Sequence, residues 1–292
     1  MIGKNNQAWL FVGVDMNIAF TKMQGLGNDF MVIDAIHQQV EFEASKIREW
    51  SNRHFGIGFD QLLVVENATQ ENVDFRYRIF NADGSEVQQC GNGARCFARF
   101  VYDKGLTDKT EITVETASGI IVLYIEDSGW VRVNMGAPNF EPASLPFLAT
   151  EKSEEYALNV LGETLLIGAV SMGNPHAVLP VDDIRTAPVD KFGAAVESHP
   201  SFPERVNVGF AQKVDNTHIK LRVYERGAAE TLACGTGACA AMVVLRHWQQ
   251  VGDEVTVSLP GGDLKIQWDG NESSPVWMSG PAVTVFEGEI LV

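Results

Sequence analysis

No apolar run in this 292-residue chain approaches the ~20 residues a bilayer-spanning helix needs. Clustered positive charge is missing as well. The 22 Lys and Arg are outnumbered by 38 Asp and Glu, for a formal net charge of −16 and a pI near 4.7. Phosphate contacts need concentrated positive charge, so nucleic acid and anionic membrane surfaces are not expected partners. The acidity is read as serving solubility. Cysteine is scarce: Cys90, Cys96, Cys234 and Cys239 are too few for a disulfide framework in a chain this long. Five residues separate the first pair and four the second, against the two of a zinc knuckle, and no His lies close to either. A structural metal is therefore not expected. The short apolar stretch Ala8 to Val14 is followed by Asp15-Met16-Asn17, a poor place for a small-residue cleavage site. The chain is expected to be cytoplasmic, with residues 1–15 an extension.

What is present is a hydrophobic content of 45 %, enough for a core in each of two domains. β-Branched runs of strand length dominate, among them "FMVID" (30–34), "QLLVVE" (61–66), "FRYRIFN" (75–81), a hairpin about Ser118-Gly119 (111–127) and "WVRVNMG" (130–136). In the second half come "LLIGAVSMG", "HAVLPV", "RVNVGFAQKVD", "HIKLRVYERG", "EVTVSLPGG", "DLKIQWDG" and "PVWMSGPAVTVFEGEI". Helical text is rarer. It is clearest at 93–105 and 237–252, each beginning after a Cys-Gly pair and ending near a glycine, Gly105 or Gly252. A third helix is expected over 43–56. The proline-spaced stretch 136–147 reads as a linker, so two α+β halves are expected.

Those halves align with each other. Shifted by 144, "RIFNADGSEVQQCGNGA" (78–94) lies over "RVYERGAAETLACGTGA" (222–238), with Arg78/Arg222, Glu86/Glu230, Cys90/Cys234, Gly91/Gly235, Gly93/Gly237 and Ala94/Ala238 coinciding. A nearby offset brings "GNDFMVID" (27–34) over "GNPHAVLP" (173–180). Duplication explains this, each half being strand, turn, thiol, helix.

A thiol at a helix N-terminus sits among free backbone N–H groups, which favour negative charge and are expected to draw its pKa down toward neutrality. The glycines let a ligand approach the main chain, and a carboxylate can take the N–H groups as phosphates do elsewhere. Two such units facing one cleft would flank the α-carbon of a bound carboxylate with sulfur on both faces. That geometry suits inversion at carbon, with proton removal on one face and delivery on the other. The helix N-termini would stabilise the charge that develops on the carboxylate. The residues alone leave pyridoxal phosphate or a metal open.

The segments "KMQGLGNDFMVID", "GIGFDQ", "FNADGSEVQQCGNGARC", "SMGNPHAV", "RVNVGF" and "YERGAAETLACGTGACA" resemble the signatures of the diaminopimelate epimerase family, in order from about Lys22 to the C-terminus. Met16 resembles the position where such chains usually begin. The resemblance implies a cofactor-independent isomerase interconverting LL- and meso-diaminopimelate, on the route to lysine and peptidoglycan. It implies two pseudo-symmetric domains, each a β-barrel-like sheet around a central helix, with the site in the cleft between them. The first would span 16–135 with a returning strand at 281–292, the second 136–280, and homodimers would be usual. Residue by residue, Cys90 and Cys234 match the catalytic pair. Gly91, Asn92, Gly235 and Thr236 match the groups at the helix starts that hold the reacting carboxylate. Asn28, Gln61, Asn81, Asn174, Asn207, Glu225 and Arg226 match the remaining substrate-binding positions, and His176 and Glu225 match positions that tune the thiols. This set suits a zwitterionic distal end: Arg226 can fork on a carboxylate, while Glu225 and Asn carbonyls accept from an ammonium. Cys96 and Cys239 have no matching role and read as packing. Three rivals remain. A proline or hydroxyproline racemase of the same broad fold would have His where this chain has Asn92, and would need no distal clamp. A Gly-rich anion-binding module and a thiol–disulfide switch are the others.

Overall fold

The computed structural model describes residues 17–87 and 91–291. Cys90 and the 1–15 extension lie outside the described residues. The first half runs β1 (Asn17–Gly25), β2 (Asn28–Asp34), α1 (Ala44–Ser51), β3 (Gln61–Asn67), β4 (Phe75–Asn81), β5 (Glu86–Val87), α2 (Gly91–Asp103), β6 (Glu111–Thr116), β7 (Gly119–Ile125) and β8 (Val131–Asn134). After β9 (Tyr156–Val160) the second half repeats it: β10 (Glu163–Ser171), β11 (Pro175–Pro180), α3 (Val189–Glu197), β12 (Asn207–Asp215), β13 (His218–Glu225), β14 (Ala229–Thr231), α4 (Gly235–His247), β15 (Glu254–Leu259), β16 (Gly262–Gln267) and β17 (Trp277–Gly280). β18 (Val283–Leu291) returns to pair antiparallel with β1.

The strand pairings duplicate along with the sequence. β2 pairs parallel with β3 and β11 with β12; β3 pairs antiparallel with β4 and β12 with β13. β4 meets β6 in parallel, as β13 meets β15. β8 and β17 then pair with each other, joining the two halves in one mixed sheet.

Each half of the sheet wraps one helix. The α2 face built from Ala94, Cys96, Phe97, Ala98, Phe100 and Val101 packs with β2, β3, β4 and β6–β8 residues. Nine residues of α4 are buried on all sides in the second core, as expected for a helix enclosed by strands. α1 and α3 cover outer sheet faces, through Ile47 and Trp50 in one case and Val189, Phe192 and Val196 in the other.

Three helices differ from the sequence reading. α1 stops at Ser51 rather than residue 56, because the Asn52 side chain accepts from the N–H groups of His54 and Phe55 and turns the chain. α4 stops at His247 rather than running on to Gly252: Gln249 just beyond it is left-handed (φ 58°), and the Gln250 N–H reaches back to the Leu245 carbonyl. α3 was not expected at all. It carries Gly193 in its middle, and a Cβ there would lie 2.7 Å from the Tyr224 ring, so a residue that weakens the helix is what lets it seat.

Candidate functional site

The chemistry gathers in a cleft of about 1140 Å³ between the two duplicated units. Both helix N-termini open into it: Gly91-Asn92 of α2 on one side, Gly235-Thr236 of α4 on the other. Met278 of β17 lies between them. A Cβ on Gly91 would come within 3.0 Å of Met278 Cε, and one on Gly235 within 3.1 Å of Met278 Sδ and 3.6 Å of Asn92 Oδ1. Side chains here would crowd the Met278 thioether and the cleft floor between the two helix starts.

The first wall is built from strand ends. Asn28, at the start of β2, accepts from Asn92 Nδ2 (3.3 Å) and donates to Asp60 (2.9 Å). Asp60 is gripped by Arg53 (2.8 Å), which also forks on Asp29. Burial works against the Asp29 charge, but Arg53 and Lys22 hold its carboxyl well below the usual carboxylate range. Gln61 opens β3 opposite Asn81 of β4, and Gln61 Nε2 donates to Asn81 Oδ1 (3.0 Å). Asn81 also donates to Ser85 (3.2 Å).

The second wall uses the same positions with different chemistry. Asn174 donates to Thr236 Oγ1 (3.3 Å), which lies 3.6 Å from Cys234 Sγ. Asn174 Oδ1 faces His176 Nε2 at 3.0 Å; an amide oxygen only accepts, so that nitrogen carries the proton. Burial, with the Arg226 charge nearby, pushes the His176 pKa down to about 3, so the ring is neutral. Asn207 lies in β12 beside His176 and opposite Glu225 by register. Its side chain is taken up by main chain, donating to the Pro175 carbonyl (3.0 Å) and accepting from the Arg226 N–H (2.9 Å). Glu225 ends β13 and accepts from the Thr231 hydroxyl, and its carboxylate lines the cleft beside Cys234. Arg226 follows it at the cleft rim and donates to the Glu204 carbonyl (3.1 Å).

Cys234 is the N-cap of α4 and 4 % exposed. The expectation of a lowered thiol pKa is corrected here. Burial, and then the adjacent Glu225 carboxylate, push it well above the ordinary thiol value; Thr236 and the Gly237 N–H pull the other way without prevailing. Cys234 is thus a thiol. Cys96 and Cys239 are wholly buried within α2 and α4, and burial pushes Cys239 up to about 12.

Of the residues singled out from sequence, Asn28, Gln61, Asn81, Gly91, Asn92, Asn174, Glu225, Arg226, Cys234, Gly235 and Thr236 line the cleft. His176 (1 % exposed) and Asn207 stand behind it and brace its wall. Cys90 lies outside the described residues. Sequence reasoning missed Met278, the Arg53–Asp60 support under Asn28, and Thr231. It also missed Arg95, a fully buried guanidinium of α2 that donates to the Pro281 carbonyl (3.2 Å) beside Met278. Only Thr231 carried a usable signal, since the 144-residue shift sets it over Val87. Chemically, the arrangement can bind a carboxylate on two sets of helix N–H groups and present a protonated thiol to the atom attached to it.

The family model described as diaminopimelate epimerase matches residues 20–141 and 168–285. A diaminopimelate epimerase of Nitrosomonas europaea is 61 % identical over 275 residues, covering 94 % of this chain and 99 % of that protein. One of Aromatoleum aromaticum is 59 % identical with the same coverage. Among solved structures, a PhzF-family phenazine biosynthesis protein of Bacillus anthracis superposes with a TM-score of 0.67 at 18 % identity, over 95 % of this chain and 100 % of that one. A probable proline racemase of Agrobacterium radiobacter gives 0.65 at 16 % identity, over 94 % and 92 %. At such identities the likeness to the solved structures speaks to the fold alone.

Proposed function

Because the chain belongs to the diaminopimelate epimerase family, we propose that it interconverts LL- and meso-diaminopimelate at this cleft, without a cofactor, using Cys90 and Cys234 as the two proton carriers. The observation that carries the reading is the pair of duplicated helix N-termini on either side of Met278, with Glu225 and Arg226 together on the rim.

The reacting carboxylate takes the N–H groups at Gly91-Asn92 and Gly235-Thr236. A thiolate on one face of the α-carbon removes its proton, and the bonding pair moves into the carboxylate as an enediolate. The helix N-termini stabilise that added charge. The opposite thiol delivers its proton to the other face and becomes the thiolate, so the two sulfurs exchange roles in each turnover. In the form described here Cys234 is the protonated partner. Arg226 forks on the distal carboxylate, while Asn28, Gln61, Asn81 and Asn174 line the path of the substrate. Asn207 serves through the Arg226 main chain, and His176 through Asn174.

The same reading divides the chain into a first domain of residues 16–135 with 281–292 and a second of 136–280, acting as a cytoplasmic homodimer on the route to lysine and peptidoglycan. The support for the division is that β18 closes on β1. Among the described residues no helix is long and apolar enough to cross a membrane.

The test is conversion of LL-diaminopimelate by purified protein with no cofactor added, run in heavy water. Product should carry solvent deuterium from the first turnover while recovered substrate stays protiated. Cys90→Ala and Cys234→Ala should each abolish turnover, and Cys96→Ala should not. Turnover of proline with none of diaminopimelate would overturn the assignment.

A further inference from the structure

The two halves differ at the position that carries Glu225 in the second. In the first half, position 81 is an amide, held by Gln61 (3.0 Å) and Ser85 (3.2 Å). In the second, the equivalent position is the carboxylate of Glu225, and the hydroxyl that binds it comes from Thr231. Thr231 occupies a frame position both halves share. Val87 of β5 pairs with Ile79 as Thr231 of β14 pairs with Val223, and the 144-residue shift superimposes them. Packing on the sheet at this point therefore requires only a β-branched side chain of valine's shape. The hydroxyl is what the second half adds, in the half where the neighbour is a carboxylate rather than an amide.

We propose that Thr231 is a positioning residue for proton transfer, its hydroxyl pinning the Glu225 carboxylate in the orientation that keeps the proton on Cys234. The inference rests on reading Cys234 as a proton carrier. A hydroxyl-to-carboxylate bond is charge-assisted and strongly directional, and Glu225 stands at the end of its strand, where a tight turn with left-handed Gly227 and Ala229 carries the chain into β14. Freed of Thr231, the carboxylate can swing toward the open cleft. The other groups about Cys234 do not substitute for it. Arg226 follows Glu225 on the rim, His176 of β11 is neutral and turned to Asn174, and Arg95 of α2 acts on Cys239 one turn along α4.

The test reads the thiol itself. Thiolate, not thiol, is alkylated, and each unit by which a pKa falls toward the working pH raises the thiolate fraction about tenfold. Iodoacetamide labelling of Cys234, quantified by peptide mass spectrometry at about pH 7.5, should be roughly fivefold or more faster in Thr231→Val than in the parent protein. Thr231→Ser, which keeps the hydroxyl, should label at the parent rate. Epimerisation in Thr231→Val should lose kcat with KM nearly unchanged. Should the valine variant fail to fold by circular dichroism, Thr231→Ala removes the same hydroxyl and is read the same way. Labelling at or below the parent rate in the hydroxyl-less variant, or a fast-labelling Thr231→Ser, would overturn the proposal. If the parent protein failed to epimerise diaminopimelate, the functional reading would fall, and the labelling comparison would still decide the role of Thr231.

Discussion

Gly237 sits in the first turn of α4, three residues after the Cys234 thiol. A Cβ added there would lie 3.1 Å from Val223 Cγ2 and 3.2 Å from both Cβ and Sγ of Cys234. Two of these atoms cannot yield: Val223 is locked in the second core, and Cys234 Cβ is fixed by the backbone. The sulfur can yield, by rotating off its rotamer at a cost of about 1 kcal/mol. Alanine in place of glycine offsets this by up to about 1 kcal/mol of helix propensity, less in a first turn. Gly237→Ala should therefore unfold within about 4 °C of the parent protein. The rotation is not neutral for chemistry, because it carries Sγ away from Thr236 and Glu225 and out of line with the α-carbon. A misplacement approaching 1 Å costs on the order of 100-fold in rate, so kcat should fall at least about tenfold with KM little changed. The assays are a thermal melt and steady-state kinetics on the same preparation. Parent kcat in the folded variant would refute the claim that Gly237 clears space for the thiol. A collapse in melting temperature would show instead that Val223 takes the clash.

A buried and a half-buried polar group give two further outcomes. His176 has a folded pKa of about 3 against an ordinary 6.5, so the unfolded chain binds its proton first on acidification. Stability is thereby lost as pH falls from about 6.5 toward 3, with a slope of up to about 1.4 kcal/mol per pH unit. Urea midpoints of His176→Gln should fall less steeply over this window, and parallel slopes would show that His176 does not stay neutral. Arg222 forks on Glu230 (2.6 and 2.7 Å) and donates to the Ile184 and Ala187 carbonyls. Arg222→Met should cost about 2 kcal/mol in urea unfolding, and a cost near zero would make the fork ornamental.

The sequence carries the architecture because duplication writes every pairing twice. The Arg78/Arg222 and Glu86/Glu230 coincidences, seen as letters, are in the fold two matching ion pairs, each four residues ahead of a cysteine. α2 and α4 were legible from the change in hydrophobic period after Cys-Gly. α3 was hidden because its central glycine answers to Tyr224, a contact no local pattern carries. β1 went unread for a similar reason: buried Thr21 and Lys22 interrupt its apolar text, and Lys22 is tolerated only because Asp29 and the Gly58 carbonyl meet its ammonium. At the site, residue types and order were legible. The protonation state of Cys234 was not. A helix N-terminus can be read from letters, but the depth of a thiol and the aim of a carboxylate from another strand cannot.

That failure bears on how a symmetric frame performs an asymmetric task. Two identical thiol sites facing one carbon would share one proton over a range of pH with no preference for either sulfur, so symmetry alone cannot fix which sulfur holds it. The frame here is equivalent down to strand register, yet the residues flanking the thiol are not. Phe30 stands where the second half has His176, Asn81 where it has Glu225, and Val87 where it has Thr231. The second half thereby gains an imidazole, a carboxylate charge and a hydroxyl where the first has a phenyl ring, a neutral amide and an alkyl group. A carboxylate beside a buried thiol favours the protonated form, and Cys234 is pushed that way by burial and by Glu225. Under the proposed mechanism, symmetry would supply two opposed N-termini for one carboxylate, and these departures from symmetry would bias the proton toward Cys234.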